Sequence, residues 1–249
     1  MRDMIEEPAV LPTPREVVLA AGDWIASQLQ QDGFVWLPSR LTLQRSVGSV
    51  RHQIHVQPDT YNRRGGPIAV QAMLNVRDTA LRRWRKANPQ LVFDPDNDYV
   101  CGHFLGYATG RANGYLYGDF RDGEIDLSSP GERERHLDAF VATVRQSVLP
   151  WFAEASDPDL IVESRAADMT SSPACIVDWL ASRGRIDLVP VYVARYVERH
   201  PEWDEGVRRG VALAADGQRP EYSTNWADVL GWTSAKVTES HPAGPATGR

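Results

Sequence analysis

The sequence predicts an α+β fold, with an N-terminal helix and antiparallel sheet followed by a mostly helical C-terminal region. Three observations lead there. Apolar residues alternate with polar ones over much of 34–76, the period of a half-buried strand. After Ser128 the period lengthens to that of an amphipathic helix and holds to Ala215. Strands then helices, without strand–helix–strand alternation, exclude a doubly wound parallel sheet. On this reading residues 12–127 carry the helix and sheet, 128–233 the helical region, and 234–249 a disordered tail containing Pro242, Gly244, Pro245 and Gly248.

Thr13-Pro14-Arg15-Glu16 is a helix start: Thr caps, Pro suits the first turn and Glu16 closes a capping box. Val17, Val18, Ala21, Trp24, Ile25 and Leu29 form the stripe of a helix over 14–31, which Gly33 stops. Strands follow at 34–37 and 41–45. Val50, His52, Ile54 and Val56 then share one face of a strand, with Arg51, Gln53, His55 and Gln57 on the other, and 68–76 repeats the pattern after a loop at 59–67. These four make a meander with one polar face.

Thr79 is expected to cap a short helix over 80–87, ended by Asn88-Pro89. Further strands are expected at 91–93, 99–107, 115–120 and 124–127. Gly110 to Gly114 reads as a hairpin loop, since it lacks the strand and lysine of a phosphate-binding loop. Ser129-Pro130-Gly131-Glu132 forms a second capping box, opening a helix that Pro150 ends or kinks. Helices are expected at 157–165, 172–182, 188–199 and 202–215. Beyond 217 the periodicity is lost, except for a docked turn around Trp226, Leu230 and Trp232.

The hydrophobic content, 42% of 249 residues, is ample for a core. No apolar run approaches the ~20 residues of a membrane span. Met1 to Pro14 lacks the basic and apolar regions of a secretory signal, so the cytoplasm is the expected location. Cys101 and Cys175 follow no metal or redox spacing and read as buried small hydrophobes.

Charge is the most uneven property. Residues 33–88 carry ten Arg or Lys against two Asp, a local +8 in a chain of net −6, so the remainder carries −14. Such asymmetry places a basic surface beside an acidic one and points to an anionic partner. The candidate binding residues are Arg63, Arg64, Arg77, Arg82, Arg83, Trp84, Arg85 and Lys86. Arginine holds phosphate and Trp84 stacks on a base if the partner is nucleic acid. On the plainer reading Leu81 and Trp84 anchor a short helix while the arginines point to water.

Other candidates are thinner. Cys101 and His103, two apart on a strand, share a face, but further metal ligands would have to come from His52 or His55, which face opposite ways. Glu132, Glu134 and Asp138 alternate with Arg133 and Arg135 as a salt-bridged helix face does. No cofactor, metal site or catalytic residue is expected.

The run from Gly33-Phe34 through Leu43-Gln44-Arg45, Ile54-His55-Val56-Gln57, Tyr61-Asn62 and Val70 to Leu81-Arg82-Arg83-Trp84-Arg85 resembles a group of uncharacterised bacterial proteins, domains of unknown function in which a strand meander precedes helices. Val148-Leu149-Pro150-Trp151-Phe152 extends the resemblance, which spans about 14–165. It implies a binding role and carries no active-site residues. The expected function is a non-catalytic binding protein, an accessory or immunity-like factor that engages a protein partner, and the basic stretch points to an acidic one. A nucleic-acid-associated protein is the alternative, and a metal-dependent or hydrolytic enzyme comes third.

Overall fold

The computed structural model describes residues 11–110, 124–168, 170, 172–221 and 225–240. The first helix, α1 (Pro14–Gln28), begins at the expected capping box: Glu16 N donates to Thr13 Oγ1 at 3.3 Å and Thr13 N donates to the Glu16 carboxylate at 2.7 Å. A short 3₁₀ turn follows, and Gly33, at φ 83°, makes the left-handed step into the sheet.

Among the described residues six antiparallel strands follow: β1 (Val35–Leu37), β2 (Thr42–Val47), β3 (Val50–Pro58), β4 (Ala69–Asp78), β5 (Tyr99–Phe104) and β6 (Glu124–Asp126). The first four pair in sequence order. β5 and β6 share the far edge of β4, with β6 against Ala69–Gln71 and β5 against Met73–Arg77. Leu43, Ile54 and Leu74 stand in one cross-strand row on the inner face, each essentially inaccessible. Gln44, Gln53 and Asn75 form a row on the outer, polar face, where Gln53 Nε2 donates to Gln44 Oε1 at 2.8 Å. The period-2 pattern therefore assigned the strand faces correctly.

Some boundaries differ. The expected strand at 91–93 is a turn: Leu91 and Val92 are buried, but by packing rather than by a ladder. The one expected at 115–120 lies outside the described residues. α2 (Thr79–Ala87) is capped by Asp78, whose carboxylate accepts from Ala80 N at 2.8 Å, and Thr79 is already helical. The Ser129 box does not form. Ser129 O accepts from Glu132 N in a turn, and α3 (Arg133–Thr143) starts four residues after Ser129 with no side-chain cap. Nor does Pro150 end the helix. A π turn over 144–148 widens the backbone ahead of it and leads directly into α4 (Leu149–Ala155). The helix expected at 157–165 is a 3₁₀ turn, Ile161–Glu163, followed by the single turn α5 (Arg165–Asp168).

The remaining helices are α6 (Pro173–Ser182), α7 (Leu188–Arg199), α8 (Asp204–Ala215) and α9 (Trp226–Ser240). The last is the largest correction. A docked turn and a disordered 234–249 were expected, yet a helix of 15 residues runs to Ser240 with Val237 fully buried, while the rest of that expected tail, 241–249, lies outside the described residues. Its buried side includes Asp228, Gly231 and Thr233, so no continuous apolar stripe announced it. α8 and α9 cross through glycine. A Cβ at Gly210 would lie 2.1 Å from Asp228 O, and one at Gly231 would lie 2.0 Å from Val207 O.

One apolar cluster runs from Val17 in α1 through the inner sheet face and α3, α4, α6 and α7 to Val237 in α9. The change near residue 128 is therefore a change of secondary structure within a shared core. Among the described residues no helix is long and apolar enough to cross a membrane.

Candidate functional site

The acids that follow the basic stretch fold back onto it. Arg51 and Arg77, cross-strand neighbours on β3 and β4, both pair with Asp98, and Arg82 and Lys86 on α2 both reach Asp96, at 3.3 and 2.8 Å. Hydrogen bonds from Lys86 and Arg82 hold the Asp96 carboxyl below its usual range. Trp84 packs partly buried against the core, as the anchoring reading expects. Among the described residues no ion pair involves Arg63, Arg64 or Arg83, and all three are exposed. The eight candidates therefore do not form one uninterrupted basic face. The signal lay in Asp94-Pro95-Asp96-Asn97-Asp98, just beyond the counted window.

Arg85 departs furthest from expectation. Only 2% exposed, it donates from Nε to Asp178 at 2.8 Å and from a terminal nitrogen to the carbonyls of Asn97 and Tyr99. Burial pushes the Asp178 carboxyl up to about 6, against the pull of Arg85. Among the described residues the other Asp178 oxygen has no hydrogen-bond partner. This pair ties α2 to α6 from inside, which makes Arg85 structural and removes it from any binding surface.

Cys101 lies in the core, and burial raises its thiol well above the ordinary range. His103 turns its ring onto Phe104 and Tyr107. His52 and His55 face opposite sides of β3: His52 stacks on Phe152, and His55 Nδ1 meets Thr42 Oγ1 at 2.8 Å. Among the described residues no group of three or more His, Cys, Asp or Glu is placed to hold a metal.

Sequence reasoning missed one contact with a catalytic outline. His52 Nε2 lies 2.6 Å from Ser156 Oγ, and Arg45 Nε lies 2.9 Å from His52 Nδ1. Arginine only donates, so Nδ1 is the acceptor and Nε2 carries the proton. The imidazole thus donates to the serine, the reverse of what a general base requires. Burial first, and then the charge of Arg45, hold His52 at about 4; burial holds His103 at about 4 as well. These folded values lie below the ordinary 6.5, so the two neutral rings contribute stability that is present above about pH 6.5 and lost as pH falls through about 4. For His52 the shift corresponds to about 3 kcal/mol. The urea unfolding midpoint should therefore drop between pH 7 and pH 4, and part of that drop should vanish in His103→Phe. Asp178, raised to about 6, acts in the opposite sense over that range, so the comparison decides: a drop as large in His103→Phe as in the parent would contradict the assignment.

An open concavity lies elsewhere. α7, α8 and α9 enclose a groove of about 580 Å³ lined by Val189, Val193 and Val197 of α7, Val207 and Val211 of α8, and the small residues Ser234 and Ala235 of α9. The α7 valines are four apart and form one stripe about 12 Å long. Val211 is 43% exposed. The charged residues in the lining are both acids, Asp204 and Glu239, paired with Arg208 and Lys236 of their own helices. Nothing in the sequence marked the groove, because its α9 wall belongs to the helix that went unrecognised.

No protein-family model, curated protein or solved structure matches this chain.

Proposed function

We propose that this chain is a non-catalytic binding protein that holds a protein partner in the α7–α9 groove. The observation that carries this reading is the groove itself, an aliphatic concavity that continues outward from the core residues Val189 and Val207 to the 43% exposed Val211. The accessory or immunity-like role rests on the resemblance given above. Selection of displayed random peptides against the folded chain tests the reading. Apolar peptides should be enriched and should lose binding to a Val193→Asp, Val211→Asp variant that keeps its circular dichroism. Failure to enrich any peptide, or equal binding to the variant, would sink it.

Of its candidate cations the nucleic-acid alternative retains Arg63, Arg64 and Arg83 without an ion pair among the described residues. We expect negligible binding of labelled DNA or RNA oligonucleotides at about 150 mM salt, since the acids beside the basic stretch oppose a polyanion within a Debye length of ~8 Å. A submicromolar complex with a steep salt slope, lost when Arg63, Arg64 and Arg83 become Gln, would favour that alternative.

A further inference from the structure

We infer that the partner enters the groove as an amphipathic α-helix with an aliphatic stripe flanked by lysine or arginine; this rests on the groove reading above. Backbone chemistry argues for a helix. The groove walls are three helices whose own backbones are bonded internally, and the side chains they present are mainly aliphatic. An extended peptide laid there would leave its N–H and C=O groups against methyl groups without partners, whereas a helix satisfies its own. Spacing agrees. Val189, Val193 and Val197 are four apart on α7, and Val207 and Val211 are four apart on α8. These are the ridges between which the side chains of another helix pack.

The charge of the partner follows from the rim. Asp204 and Glu239 are both carboxylates, and their present partners lie on their own helices, Arg208 at i+4 and Lys236 at i−3. Exposed pairs of this kind are weakly held, so cations of an incoming helix can replace them. A second copy of this chain fits poorly. A two-fold dimer would set groove against groove, and two concave faces leave voids between them.

Fluorescence anisotropy on the full chain tests the inference with three labelled synthetic peptides of about 18 residues, long enough to form a helix on binding. One carries leucines at i, i+3, i+4 and i+7 with lysines elsewhere. The second replaces the lysines by glutamates, and the third places two prolines at the centre of the first. The lysine helix should bind saturably, with the other two at least about tenfold weaker. Val193→Asp and Val211→Asp should each weaken it by a similar factor while the fold, read by circular dichroism, is kept. Equal binding of the proline peptide would overturn the helix, and equal or tighter binding of the glutamate peptide would overturn the charge. In both cases the groove reading would stand, because its own test is the display selection. Dimerisation in sedimentation, abolished by Val211→Asp, would assign the groove to a second copy and overturn the proposal.

Discussion

Replacing Asp178 by Asn is expected to destabilise the fold by about 3–5 kcal/mol, the usual cost of leaving a buried charge without its counter-ion. Arg85 is 2% exposed and cannot reach water when its partner is lost. Arg85→Met alone should cost a similar amount, because it strands the Asp178 carboxylate. The double variant Arg85→Met, Asp178→Leu should recover most of the loss, since a well-packed apolar pair is often as stable as a buried ion pair. Urea midpoints for the three variants give the coupling directly. Single variants costing under about 1 kcal/mol would show that the pair is solvated rather than enclosed.

Trp179→Ala should be as damaging. The indole is fully buried, and its removal costs about 3–5 kcal/mol in packing alone. Its Nε1 also donates to Asp78 at 2.9 Å, and Asp78 is the fully buried residue that ends β4, caps α2 and pairs with Arg183. Trp179→Phe keeps the six-membered ring but loses this donor and the pyrrole part of the indole, so it should cost less than Trp179→Ala, about 1–3 kcal/mol. If both variants cost the same, packing around the indole contributes little and the hydrogen bond carries the effect. Thermal unfolding of the pair separates the two contributions.

The sheet was legible because strand faces are written in a period of two, and Val50–Val56 and Ile68–Val76 keep it without a break. α1 was legible from its cap. α9 was not, because Asp228, Gly231 and Thr233 occupy its buried side and spoil the apolar stripe on which helix recognition depends. The basic stretch misled for a different reason. A charge count in a window cannot see which acids return to it, and Asp96, Asp98 and Asp178 all do. Arg85 illustrates the limit most sharply, since its neighbours Arg83 and Lys86 are exposed while it is enclosed. Helical phase separates them: Arg85 lies four residues after Leu81, on the side of α2 that faces the core.

The glycine crossing of α8 over α9 also bears on how this surface can diversify. Backbone meets backbone at Gly210 and Gly231, with no room for even one carbon atom. These positions therefore tolerate almost no replacement, and the angle between the two helices is fixed whatever else varies. The groove valines of α8, Val207 and Val211, lie one turn or less from that crossing, and they and the α7 valines obey a looser rule, since any aliphatic side chain of similar volume fills the same space. A lineage carrying this fold can thus exchange one binding preference for another by altering a handful of methyl groups, while the hinge-free joint behind them keeps every descendant in the same shape.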